Sequence, residues 1–430
     1  MPSHRRLHLP TEQACTELGP VDARLSSGKM GRFCVAMLLV LLTSSAAMAD
    51  PVFQVSYRVR VSDRGLFALG PMEVSSPVAT RDGFGVLVGG GSGRLQLLDA
   101  ASGDVSFELQ LDGGISATPL VLEDRFVVGT DNGSIYLVAA DGRLLWSKPA
   151  RIKGAVRGRP ALWHDSVLIV ADDTSTVHAI SMSDGTVLAS FSSQSFSRRG
   201  LSPFTVFGYP DPVVDGDMVY VGFETGFVAA LRPKGTEGSD QISSFETAWQ
   251  VGPCSPGELA RAAGSAPPLC SPRRVFRDVD TSPTPVGGGL VTGCYCRGLV
   301  MLDPANGAVR WEVPILGPST PAVAAERLYV VSADDRFRAI DLSNGKIAWS
   351  TSLEVAQVIS PVLMGSAEDP ASALVAVATG GPLYLVRAVD GRIAGKIDVP
   401  GGIAAPPLVI GRSLFLVTAE GFLYRIDVFP

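Results

Sequence analysis

Residues 119–146 read PLVLEDRFVVGTDNGSIYLVAADGRLLW. Four short apolar runs are separated by Glu123-Asp124, Asp131-Asn132-Gly133 and Asp141-Gly142. Asn-Gly and Asp-Gly supply the positive φ values that tight hairpin turns need, so the stretch reads as four antiparallel strands, the last at residues 143–146. The pattern recurs. A proline followed closely by an apolar pair stands at Pro77, Pro119, Pro160, Pro212, Pro283, Pro321, Pro361 and Pro406, with gaps of 42, 41, 52, 71, 38, 40 and 45. Short strands repeating at about 40 residues are the signature of a propeller. A second marker closes most units: a glycine, then an aromatic four residues on, as in Gly103/Phe107, Gly142/Trp146, Gly307/Trp311 and Gly345/Trp349, with Trp249 in the same place after an insertion. Ala189 and Gly395 replace it in units three and seven. Large flat side chains there suit packing between neighbouring sheets.

Eight anchors predict an all-β, eight-bladed β-propeller of four-stranded antiparallel blades. The last unit has only three strands, and one orphan strand, residues 53–61, precedes the first anchor. That strand is predicted to complete the C-terminal blade, which closes the ring and removes two free sheet edges.

With 46% hydrophobic and 18% charged residues over 430, the chain can bury a large core and is not disordered. The expected organisation is a leader over residues 1–49 and a propeller over residues 50–430. Residues 33–42 form an apolar run too short to span a membrane. Lys29 and Arg32 precede it and Ala47-Met48-Ala49 follow, the pattern of a secretory signal cleaved before Asp50. The upstream stretch carries Glu12, Glu17 and Asp22, so Met30 is the better start. No cysteine follows the cleavage point, so no lipid anchor is expected from this signal. Beyond the leader, 31 basic residues face 39 acidic ones, and only His164 and His178 remain. Nucleic acid and anionic lipid have no electrostatic pull on such a chain.

The units LDPANGAVRW (302–311) and AIDLSNGKIAW (339–349) resemble the pyrroloquinoline quinone (PQQ) type of propeller repeat, and the whole chain beyond the leader is similar to the BamB-like assembly factors of that group. Two stretches sharpen the likeness: Arg199-Gly200-Leu201-Ser202-Pro203, with its proline one residue earlier than the family's pattern, and Asp278-Val279-Asp280-Thr281-Ser282-Pro283. The resemblance implies a periplasmic scaffold of the outer-membrane β-barrel assembly machinery, peripheral at the inner face of the outer membrane. The partners implied are the periplasmic domains of BamA and other subunits, with unfolded outer-membrane proteins as further clients. It assigns partner contacts to Arg199, Asp278 and Asp280, and an apolar contact to Phe196. Arg198 stands where the family has leucine. The PQQ- and calcium-dependent dehydrogenases of the same repeat group carry an adjacent cysteine pair, whereas Tyr295 separates Cys294 from Cys296 here. The expectation is a non-enzyme with no cofactor, metal or transmembrane span.

Independently of any family, the two longest insertions, residues 191–211 and 251–279, both join an outer strand to the next inner strand. Such connections share one face of a propeller, and rigid scaffolds concentrate binding residues on such loops. Beyond the leader, four cysteines suggest disulfides in an oxidising compartment. The preferred pair is Cys254 with Cys270, closing a loop rich in Pro, Gly and Ala. Cross-pairing with Cys294 or Cys296, and a four-cysteine zinc site of poor spacing, are the alternatives.

Overall fold

The computed structural model describes residues 52–62, 75–193, 209–235, 242–254, 279–369 and 371–429. The expected leader, residues 1–49, lies outside them. The described residues form eight four-stranded antiparallel sheets. In each of the first seven, strands A to D run in sequence order; blade 5, for example, is Thr284–Val286, Gly289–Cys294, Gly298–Leu302 and Val309–Val313. In blade 8, Leu408–Ile410, Ser413–Val417 and Phe422–Phe429 are joined by Val52–Arg60 as strand D. The orphan strand thus closes the ring as the sequence predicts. The inner strand of blade 8, Leu408–Ile410, begins after Pro407, so Pro407 rather than Pro406 is the anchor there.

Strands B and C are buried almost throughout, as in Gly85–Gly89 and Gly298–Leu302, whereas strand D alternates, as in Val105–Gln110. The middle strands are covered on both faces by neighbouring blades. The apolar core is accordingly eight wedges, each drawn from two adjacent blades. The outer-strand aromatics bridge these wedges. The indole N–H groups of Trp146, Trp249, Trp311 and Trp349 donate to the carbonyls of Met182, Pro304, Leu342 and Ala388 in the next blade, at 2.8–3.2 Å. The closing strand obeys the same rule, with Tyr57 Oη donating to Ala100 O at 3.2 Å. Glycine is required opposite these rings. A Cβ on Gly345 (φ 71°) would lie 2.9 Å from Trp311 Cε3.

Three features depart from the simple reading. In blade 2 the expected strand at residues 143–146 makes only a bridge, Val138 to Leu144, and the ladder resumes at Ala150–Arg151. Trp146 has turned into the wedge, and Pro149 has no N–H for the ladder. Between blades 3 and 4, where Ala189 replaces the aromatic, the lengthened strands Val228–Gly235 and Ile242–Val251 supply Ile242 and Phe245 to the same cluster. A register shift near the aromatic position recurs in seven blades, with one extra residue on strand D. Such bulges twist an outer edge and discourage edge-to-edge pairing.

Candidate functional site

Antiparallel order fixes the faces. Strand A ends at the A–B hairpin, so the B–C hairpins and the D-to-A connectors share the opposite face. The connectors after blades 3 and 4 both belong to it, as the sequence predicts.

Successive connectors on this face are tied together beside the prolines. Arg159 N–H donates to Asp211 Oδ1 (2.7 Å), Asp211 N–H to Ser282 Oγ (2.9 Å) and Ser282 N–H to Thr320 Oγ1 (2.9 Å). Each of these residues precedes the proline that opens an inner strand. Proline cannot donate, so the preceding N–H is the last one before each inner strand, and it bonds to the next blade's equivalent side chain. Burial pushes the Asp211 carboxyl above the usual carboxylate range, against the opposing pull of the Arg159 N–H and guanidinium. A raised folded-state value means that Asp211 favours folding below its unfolded pKa and that this contribution is lost as pH rises through the folded value. Asp211→Asn keeps an acceptor for Arg159. Its melting temperature relative to wild type is therefore expected to climb between about pH 4 and pH 8. A difference that stays flat over that range in thermal denaturation would contradict this placement.

Beside this chain, Arg157 Nη1 donates to Ser116 Oγ (3.0 Å) and pairs with Asp131 Oδ1 (3.3 Å), and its guanidinium lies 5.8 Å from the Tyr209 ring centre. A shallow cleft between blades 3 and 4 is lined by Arg157, Asp172, Thr176, Tyr209, Phe223 and Glu224. Asp172 shapes its wall. Oδ1 accepts from Thr174 N (2.9 Å) and Thr176 N (3.1 Å), while Oδ2 accepts from Gly154 N (3.3 Å) and contacts His178 Nε2 (3.0 Å). Burial raises its carboxyl pKa, but the bonds from His178 and Thr174 outweigh that and hold it below the usual range. The hairpin is thereby locked to the preceding connector.

At the junction of blades 4 and 5, the cysteine pairing differs from the preferred expectation. Cys254 bonds to Cys294, with Cα atoms 5.9 Å apart, rather than to Cys270. Cys296 is disulfide-bonded as well. The reason lies in the repeat. After blades 1 and 2, a connector leaves with Leu111 or Ile152 donating to Gly93 O or Gly133 O, and four residues later Ile115 or Val156 donates to Gly90 O or Thr130 O. Cys254 and Val279 make the same two contacts, to Gly226 O (3.2 Å) and Phe223 O (3.4 Å), with residues 255–278 inserted between them. Val279 also bridges to Cys294. Both ends of the insertion therefore converge on Cys294, and both sulfurs are fully buried. A bond closing 40 residues is worth about 4 kcal/mol in the chain-entropy estimate.

Of the residues singled out for partner contact, Asp280 is described. It is half-buried, and its N–H donates to Gly293 O at 3.1 Å. Phe196, Arg198, Arg199 and Asp278 lie outside the described residues, as does Cys270. Asp211, Tyr209 and Arg157 were not singled out. The signal that marks Asp211 is its position before an anchor proline, shared with Ser282 and Thr320. Among the described residues there is no cluster of three or more His, Cys, Asp or Glu able to hold a metal, and no helix long and apolar enough to cross a membrane.

The family described as outer membrane protein assembly factor BamB matches residues 58–199, 123–250 and 246–372. Proteins of that name from Burkholderia pseudomallei and Escherichia coli are each 24% identical to this chain. The first match covers 81% of this chain and 83% of that protein; the second covers 78% and 80%. The crystal structure of BamB from Moraxella catarrhalis superposes with a TM-score of 0.66 at 16% identity, over 87% of this chain and all of that one. A computationally designed protein, Ika8, superposes with a TM-score of 0.62 at 10% identity, over 86% of this chain and 99% of its own, which speaks to the architecture alone. With family matches spanning most of an eight-bladed ring whose repeat, closure and paired connectors were read from its own residues, this chain belongs to the outer membrane protein assembly factor BamB family.

Proposed function

We propose that this chain is a non-catalytic periplasmic scaffold of the outer-membrane β-barrel assembly machinery and binds the periplasmic domains of BamA. The surface used is the connector face at blades 3 to 5. One observation carries the reading: the two longest connectors are consecutive and leave the same face, with their inner ends joined through Asp211 N–H and Ser282 Oγ. In this reading Arg199, Asp278 and Asp280 make the charged contacts. Phe196 makes the apolar one, and Arg198 adds charge where relatives have leucine. Residues 1–49 are removed on export, and the chain from Asp50 is held at the outer membrane through its partners rather than by a lipid of its own.

The test is retention of the purified chain on immobilised BamA periplasmic domains. Wild type is expected to bind. Arg199→Glu is expected to bind at least about tenfold more weakly, because reversing a charge at a complementary interface costs more than about 1.4 kcal/mol. Its melting temperature should match that of wild type. Absence of wild-type binding would remove the BamA assignment.

A further inference from the structure

We infer that the Cys254–Cys294 crosslink and Arg297 are the positioning elements of the connector face, so that the face is completed only where thiols are oxidised. What the face binds rests on the function proposed above; the positioning itself does not.

The geometry is that of a pinched neck. Cys254 and Val279 flank residues 255–278 in sequence, and both contact Cys294, one by a covalent bond and one by a β-bridge. Asp280 follows at once, its N–H held by Gly293 O. The hairpin after Cys294 adds a second hold. Arg297 Nη1 donates to Pro253 O (2.8 Å), and Nε and Nη2 donate to Glu312 Oε2 (3.0 and 2.8 Å). One buried guanidinium thus fixes the residue before Cys254 to the outer strand of blade 5. After blades 1 and 2, three residues separate the departing and returning contacts, and the backbone itself keeps them together. Here 24 residues separate them, and bringing the two ends together costs more chain entropy than a three-residue connection does. The crosslink substitutes for the missing short connection. Its two positions are occupied by Leu111 and Ile152, and by Thr130 and Asp172, in other blades, so the cysteines add a bond without disturbing the repeat.

The experiment compares oxidised wild type, the Cys254→Ala/Cys294→Ala chain, and Arg297→Lys, which cannot reach Pro253 O and Glu312 together. Backbone hydrogen exchange and retention on BamA periplasmic domains are the readouts. The cysteine variant is expected to exchange the amides of Val279 and Asp280 at least about tenfold faster, with Leu374–Ala378 of blade 7 unchanged, and to lose at least about tenfold in retention. Arg297→Lys should shift both in the same direction, by less. Unchanged exchange at Val279 and Asp280 in a chain shown by mass to lack the bond overturns the inference. If the cysteine variant loses protection everywhere, Arg297→Lys decides. If oxidised wild type is not retained by BamA, the BamA reading fails, and exchange alone decides the positioning.

Discussion

A chain that starts at Val61, lacking the strand Val52–Arg60, is expected to lose cooperative thermal unfolding and to accumulate as insoluble protein. Strand D of blade 8 pairs with Phe422–Phe429 along its whole length, from Val52 opposite Phe429 to Arg60 opposite Phe422, with one bulge at Ser56. Its removal deletes that ladder and takes Tyr57 and Val59 out of the wedge with Val86, Leu98, Phe415 and Leu423. It also removes the bond from Tyr57 to Ala100 O and the stacking of Arg58 and Arg60 on Phe422, at 4.5 and 4.7 Å. At about 1 kcal/mol for each net hydrogen bond and about 1–2 kcal/mol for each partly buried side chain, the loss exceeds about 5 kcal/mol. That is comparable to the whole stability of a typical domain. The long edge of Phe422–Phe429 would then be open to pairing with other chains. A synthetic peptide of residues 52–60 should restore part of the soluble fraction. A truncated chain that melts like wild type would show that the ring does not depend on this closure.

Trp349→Ala should be the most damaging single substitution among the outer-strand aromatics. Trp349 lies 5.4 Å from Phe337, nearly edge-on, and 6.0 Å from Tyr329, between blades 6 and 7. Gly391 approaches so closely that a Cβ there would fall 2.5 Å from Trp349 Cε3. Truncation leaves a void that backbone on one side and rings on the other cannot fill. The expected loss is about 3–4 kcal/mol, read from denaturant unfolding. Trp349→Phe separates packing from hydrogen bonding. Ala388 O also accepts from Tyr329 Oη at 3.2 Å, so it keeps a donor when the indole is lost. Phenylalanine should therefore cost only about 1 kcal/mol. A phenylalanine variant as unstable as the alanine one would mean that the indole N–H, not the ring, holds these blades.

Blade number, strand grammar and closure were legible because they repeat. Most units carry a positive-φ glycine at the same turns, and a strand without a blade at one end matched a blade without a strand at the other. What does not repeat was less legible. The wedge between blades 3 and 4 is filled from a lengthened hairpin, and nothing local at Ile242 or Phe245 announces that role. The outer strand of blade 2 looked regular until Pro149 removed a donor and Trp146 turned inward. The cysteine pairing was hidden by reading along the chain. Aligned by repeat position, Cys254 falls on Leu111 and Ile152, and Cys294 falls on Thr130 and Asp172. Of the candidate site, the connector face and its two neighbouring insertions followed from strand order. Asp211 was missed because a residue before proline looks like generic turn chemistry until its partners in other blades are seen.

Closure by the first strand has a consequence in time. Ser56 Oγ donates to Asp427 Oδ2 at 2.5 Å across 371 positions of sequence, so the two halves of blade 8 emerge from any ribosome or translocation pore far apart in time. Pairing at such separation is slow to form. Until Phe422–Phe429 appears, Val52–Arg60 waits with its ladder unfilled, so the arrival of that strand decides when the molecule stops being vulnerable to its neighbours.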